Sequence, residues 1–291
     1  MGNTSYNFTS RSLRADTIGY ASNTIAENFT QSKVRRVHDS MNSKKISLRE
    51  CRDSETHPNT VPIVLQLDVT GSMGDIPQHL VIEGLPKLMS NLIQKGVADA
   101  SLLFTAVGDH ECDSYPLQIG QFESGDAELD MWLTRTYLEG GGGGNAGESY
   151  PLGWYFASKH IATDAWDKRH KKGFYISVGD EPFLTSFPSS ALKEILPTQE
   201  QKSYTAKELY DLASEKWDIY HIHINHNGRT GNGWKELLGQ HFITVNDYRQ
   251  VPETIAKLIL DNNGNIPNNL SNINSSPSIE APSMDKQPSM L

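Results

Sequence analysis

Two segments of this chain are apolar along nearly their whole length and end in aspartate: Val61-Pro62-Ile63-Val64-Leu65-Gln66-Leu67-Asp68 and Lys172-Gly173-Phe174-Tyr175-Ile176-Ser177-Val178-Gly179-Asp180. Runs without polar alternation suit strands covered on both faces, the situation of a parallel sheet sandwiched between helices. The sequence around them keeps switching period. Leu80, Gly84, Leu88, Met89 and Leu92 recur at helical spacing over 76–94, with Pro77 in a first turn and Pro86 implying a kink. A strand is expected over 98–107 and a short edge strand over 117–119, then helices near 127–134 and 149–163. Beyond the second Asp-terminated strand the pattern predicts helix 206–215, strand 217–225, a helical turn near 234–238, strand 241–245 and helix 251–260. Such alternation predicts an α/β fold, Rossmann-like and doubly wound, with a mainly parallel central sheet flanked by helices.

The expected layout is one domain over 61–261 between two extensions. Residues 1–60 lack strand alternation and are net positive, although the whole chain carries −9. Leu13, Thr17, Ala21, Ile25 and Phe29 fall every four positions and predict one face of a short helix in this basic arm. Nucleic acid is not expected as a partner, because the acidic remainder would repel it and no recognition motif accompanies Lys33, Arg35 and Arg36. Residues 262–291 hold seven Asn, six Ser and four Pro with little aliphatic clustering, and are expected to be disordered.

No apolar run approaches the roughly 20 residues of a membrane span, and the first residues read as neither a secretory leader nor a myristoylation signal, since Tyr6 stands where Ser or Thr is needed. Cys51 and Cys112 are too few for a disulfide framework and lack zinc-site spacing. A cytoplasmic location is expected, which makes the Asn-x-Ser/Thr triplets at Asn3, Asn7 and Asn28 chance matches.

The chemistry concentrates after the first strand. Asp68-Val69-Thr70-Gly71-Ser72-Met73-Gly74 sets one carboxylate and two hydroxyls at alternate positions where an open α/β sheet places its ligands. Set beside the glycine run Gly140–144 and the second terminal Asp180, this stretch resembles the von Willebrand factor A (vWA) domain family and its metal-ion-dependent adhesion site, in the intracellular bacterial or bacteriophage style, over roughly 60–262. Asp68, Thr70 and Ser72 match the family's Asp-x-Ser/Thr-x-Ser motif, and Asp180 matches the Asp closing its fourth strand. The middle motif is a loop Thr, or an acidic residue within Gly-Gly-Gly-Asp-x-Pro-Glu; here Asn145 takes that place and Glu148 matches the closing Glu. Asn145 offers a carbonyl but no charge.

The resemblance implies a metal set of Asp68, Thr70, Ser72, Asn145 and Asp180, holding Mg²⁺ or else Mn²⁺ or Ca²⁺, as oxygen-only ligands favour. It further implies capture of an acidic side chain on a protein partner, with the arm and tail open to a second contact or to homo-oligomer formation. Enzymes fit less well. Thr70 occupies the place of the second carboxylate in an Asp-x-Asp phosphotransferase, the glycine run lacks the Lys of a P-loop, and no Gly-x-Ser-x-Gly elbow is present. A metal-dependent phosphohydrolase and a scaffold with a vestigial site are the alternatives. His221 and His223 share a strand face, where a site with His226 or His241 competes with ordinary hydrogen bonding. Asp109 to Asp113 is read as a polar turn near the same sheet edge, and Trp154, Tyr155 and Phe156 as core.

Overall fold

In the computed structural model, which describes residues 4–140, 147–225, 231 and 233–263, six strands form one sheet. They are β1 (Val61–Asp68), β2 (Ala100–Val107), β3 (Leu117–Ile119), β4 (Gly173–Gly179), β5 (Trp217–Ile224) and β6 (Phe242–Val245). Their order is β6-β5-β4-β1-β2-β3. Every pair is parallel except β3, which lies antiparallel on the edge of β2. The principal helices are α1 (Phe8–Ile18), α2 (Ile76–His79), α3 (Leu85–Gln94), α4 (Asp126–Thr134), α5 (Tyr150–His160), α6 (Ala206–Ser214), α7 (Trp234–Leu238) and α8 (Val251–Asn262). This is a doubly wound α/β architecture.

The alternation of β1 divides the core. Ile63, Leu65 and Leu67 face Leu88, Met89, Ile255 and Ile259 of α3 and α8. Val64 belongs to the opposite cluster, with Leu152, Trp154 and Phe156 of α5 and Leu209 of α6. By the same two-residue period Gln66 and Asp68 turn toward α5, and Gln66 Nε2 donates to the Tyr150 carbonyl at 3.3 Å. The predicted aromatic run of α5 is buried, with Trp154, Tyr155 and Phe156 each at most 2% exposed. After β3 the chain crosses to β4 on the other side of β1, so the carboxyl ends of β1 and β4 flank the point where the winding reverses.

Three local expectations need correction. The kink assigned to Pro86 is a π-helical turn over Leu80–Gly84, inserted between α2 and α3. Pro86 opens α3 without an N–H to give, and the wider turn absorbs the break while Gly84 lets Pro252 of α8 approach: a Cβ there would lie 2.9 Å from Leu80 and 3.4 Å from Pro252. The helix expected over 149–163 stops at His160, and Ile161–Thr163 forms a strand instead. Its partner is Arg49–Cys51, aligned parallel from the amino-terminal segment; the β-branched Ile161 and Thr163 gain from that pairing.

The third correction concerns α1. Gly19, with φ of +79°, ends the helix before Ala21, and Leu13 is 64% exposed. The buried face carries Arg11, whose Nε donates to Asp130 Oδ1 of α4 at 3.1 Å. Arg14 bonds Asp130 Oδ2 at 2.9 Å and Asp126 Oδ2 at 2.7 Å. Charge pairing, not an apolar stripe, decides how this helix docks. Among the described residues no helix is long and apolar enough to cross a membrane.

Candidate metal centre

Asp68 is the last residue of β1 and is fully buried. The chain then turns through Thr70 into a single 3₁₀ turn, Gly71–Met73, and leaves by Gly74, whose φ of +48° lies in the left-handed region that favours glycine. The turn folds the motif back on itself. Asp68 Oδ1 accepts from the Thr70 amide at 2.9 Å and from Thr70 Oγ1 at 2.6 Å. Thr70 Oγ1 lies 3.2 Å from Ser72 Oγ, which donates to Asp180 Oδ1 at 2.7 Å. Asp68, Thr70, Ser72 and Asp180 thus form one continuous chain of oxygens across the ends of β1 and β4. Asn145 lies outside the described residues, as do Gly141 to Gly144, His226 and residues 264–291.

Tyr150 completes the support. Its hydroxyl donates to Asp68 Oδ2 at 2.9 Å, so both oxygens of this carboxylate are held. The ring is fully buried against His221 and Trp234, with centroids 5.2 Å away in each case. Gly179 makes the approach feasible: a Cβ there would sit 1.9 Å from the Tyr150 hydroxyl and 2.9 Å from Asp68 Cβ.

The electrostatics are those of crowded acids. Burial pushes the Asp68 carboxyl up to about 6, against the opposing hydrogen bonds from Thr70, and the nearby charge of Asp180 raises it further. Glu148, at the start of the segment leading into α5, is pushed up to about 9 by burial and then by Asp68, Asp113, Asp109 and Asp180. Burial, and after it the charges of Asp68, Glu148 and Asp180, hold the Tyr150 hydroxyl well above its ordinary range, keeping it a donor. A hard dication beside Asp68 would offset this like-charge crowding, and the donor set of carboxylate and hydroxyl oxygens is the type such ions select.

The histidines assemble differently from a metal site. His221 Nδ1 pairs with Ser177 Oγ at 2.8 Å, its ring stacks on Trp234 at 3.7 Å, and burial holds its pKa well below the ordinary value. His241 stacks on Tyr220 and bonds the Ile219 carbonyl at 3.0 Å, away from that face. Among the described residues no three His, Cys, Asp or Glu side chains form a metal-holding group by themselves; the Asp68 centre depends on two hydroxyls.

Tyr150 and Gly179 were not singled out from the sequence. A signal exists for the glycine, which interrupts an aliphatic run immediately before Asp180, a common mark of close approach in a strand. Nothing in the sequence pairs Tyr150 with Asp68, 82 positions away.

No protein-family model matches this chain, and no curated protein matches it. Among solved structures, it is similar to the pilus adhesin SpaC from Lactobacillus rhamnosus GG in its open conformation, with TM-score 0.49 and 11% identity over 74% of this chain and 31% of that one. Proximal thread matrix protein 1 from the mussel byssus gives TM-score 0.47 and 12% identity over 73% of this chain and 48% of that one. The chain therefore spans less than half the length of either.

Proposed function

We propose that this chain is a vWA-like binding module, cytoplasmic in setting, whose Asp68 centre holds Mg²⁺ or Mn²⁺ and captures an acidic side chain of a partner protein. One observation carries this reading: four oxygen-bearing side chains from two strand ends converge at the winding reversal, linked through a hydroxyl-to-hydroxyl distance of 3.2 Å. Thr70 and Ser72 would present their hydroxyls to the ion, and Asp180 and Asp68 would supply negative charge. Tyr150 and the Thr70 amide fix the orientation of Asp68 before any ion arrives. When bound, the cation supplies an electrophilic position that a carboxylate oxygen can complete. With two carboxylates at most for a dication, the centre keeps affinity for a further anionic ligand. Ser72, only partly buried, faces the accessible side of the cluster.

The test is capture of partners from the native cell by the full chain, with Mg²⁺ or with EDTA, for wild type and Asp68→Ala. Magnesium-dependent capture lost in the variant is expected. Capture that survives the substitution sinks the mechanism. Turnover of phosphomonoesters abolished by Asp68→Ala would replace binding with hydrolysis, and a protein that binds no metal and ignores the substitution would be a scaffold.

A further inference from the structure

Trp234 is the first residue of α7 and is fully buried. The chain enters there through Gly233, whose φ of +83° lies in the left-handed region. The indole lies flat on the His221 ring at 3.7 Å, edge-on to Tyr150 at 5.2 Å and against Phe183 at 4.7 Å, centre to centre. Its Nε1 donates to the Glu181 carbonyl at 3.0 Å.

These contacts reach both carboxylates of the Asp68 centre by separate routes. The first runs through Tyr150, whose hydroxyl donates to Asp68 Oδ2. That phenol is steadied from below, because Gln66, Ser177 and His221 are register partners across β1, β4 and β5 on the face toward α5. Gln66 Nε2 donates to the Tyr150 carbonyl, and Ser177 Oγ pairs with His221 Nδ1 at 2.8 Å, which fixes the imidazole between Tyr150 and Trp234. The second route is the Glu181 carbonyl, one residue beyond Asp180. Phe183 packs on the indole from the same segment. An apolar side chain of equal size would fill the space but leave the Glu181 carbonyl without this donor.

We propose that Trp234 is a positioning residue of the Asp68 centre, one side chain that sets the directions of both Asp68 and Asp180 and thereby its preference for Mg²⁺ over Ca²⁺. The proposal rests on the reading of these residues as a metal centre. Groups outside the ligand set fix the orientation of the ligands. Mg²⁺ needs near-ideal octahedral geometry, whereas Ca²⁺ accepts flexible arrangements, so loosened carboxylates penalise the smaller ion more.

The experiment measures Mg²⁺ and Ca²⁺ affinities by calorimetry on the full chain, for wild type and Trp234→Phe, with circular dichroism to show that each is folded. The variant keeps a ring against Tyr150 and His221 but removes the N–H. Mg²⁺ affinity is expected to fall about tenfold and Ca²⁺ affinity by much less. An equal loss for the two ions, as general destabilisation would give, overturns the proposal. Wild type and variant that bind Mg²⁺ equally well overturn it while leaving the Asp68 reading intact; a wild type that binds neither ion sinks both. A second measurement needs no variant. If Trp234 favours the ion, the ion must hold Trp234 in return, so Mg²⁺ should slow hydrogen exchange at the Trp234 indole more than at Trp217, whose Nε1 donates to the Ala157 carbonyl at 3.2 Å. Equal slowing at both indoles, or none, overturns the proposal.

Discussion

Arg11 offers the sharpest test of how the amino-terminal segment is held. Its side chain is 5% exposed, and its partner Asp130 is 2% exposed at 3.1 Å. The guanidinium also donates to the Val81 carbonyl and lies 5.1 Å from the Tyr20 ring centre. Arg11→Met keeps most of the stem but strands half of a buried carboxylate and leaves the Val81 carbonyl without this donor. Removing one member of a buried pair costs about 3–5 kcal/mol. Arg14 still bonds the other Asp130 oxygen at 2.9 Å, so the low end, about 3 kcal/mol, is expected. For a domain near this size that corresponds to a fall of roughly 6–12 °C in melting temperature.

Burial already raises the Asp130 carboxyl despite its two arginines, which means that desolvation outweighs pairing. Adding Asp130→Asn to Arg11→Met should therefore recover part of the loss. Urea unfolding of the two single variants and the double variant closes the cycle. A cost for Arg11→Met within about 0.5 kcal/mol of zero, or strict additivity in the double variant, would refute the argument.

Saturating Mg²⁺ should stabilise the wild type, by about 2.7 kcal/mol at a hundredfold excess over Kd, and leave Asp68→Asn unmoved in thermal melts. Gly179→Ala should cost about 1–3 kcal/mol through overpacking against Tyr150 and Asp68, and weaken Mn²⁺ binding measured by calorimetry. Burial raises Asp164, but hydrogen bonds from Lys168, the Asp53 amide and Arg52 outweigh it and draw its pKa down to about 2. Its folded pKa is thus below the unfolded 3.8, so the contribution is complete above that value and is lost as pH falls toward 2. Lys168→Met should then shift acid unfolding to higher pH, read by circular dichroism.

The sheet was legible because β1, β2 and β4 are nearly continuous apolar runs and β3 and β5 alternate: 61–68 and 117–119 match to the residue, and β2, β4, β5 and β6 to within one or two. Periodicity reports burial by apolar groups, and it failed where burial was ionic. Arg11 docks α1 while Leu13, the apolar residue, faces solvent. The meeting of Asp68, Thr70 and Ser72 with Asp180 is expected from the vWA resemblance, and it requires two strands that end side by side, which alternation alone does not say. Tyr150 could not be found that way, since its role depends on which helix packs beneath the strand end.

The partners of the amino-terminal segment lie far downstream. Arg11 meets Asp130 across 119 positions, Arg52 meets Asp164 across 112, and Ser43 meets the Ile195 carbonyl across 152. Loop closure over such distances must precede any gain from these contacts. Residues 11–52 can therefore make these contacts only once α4, the helix Asp164–Arg169 and the helix Ser189–Ile195 have been made. Until then the basic residues among them stay in solvent, and the acids they will neutralise repel one another.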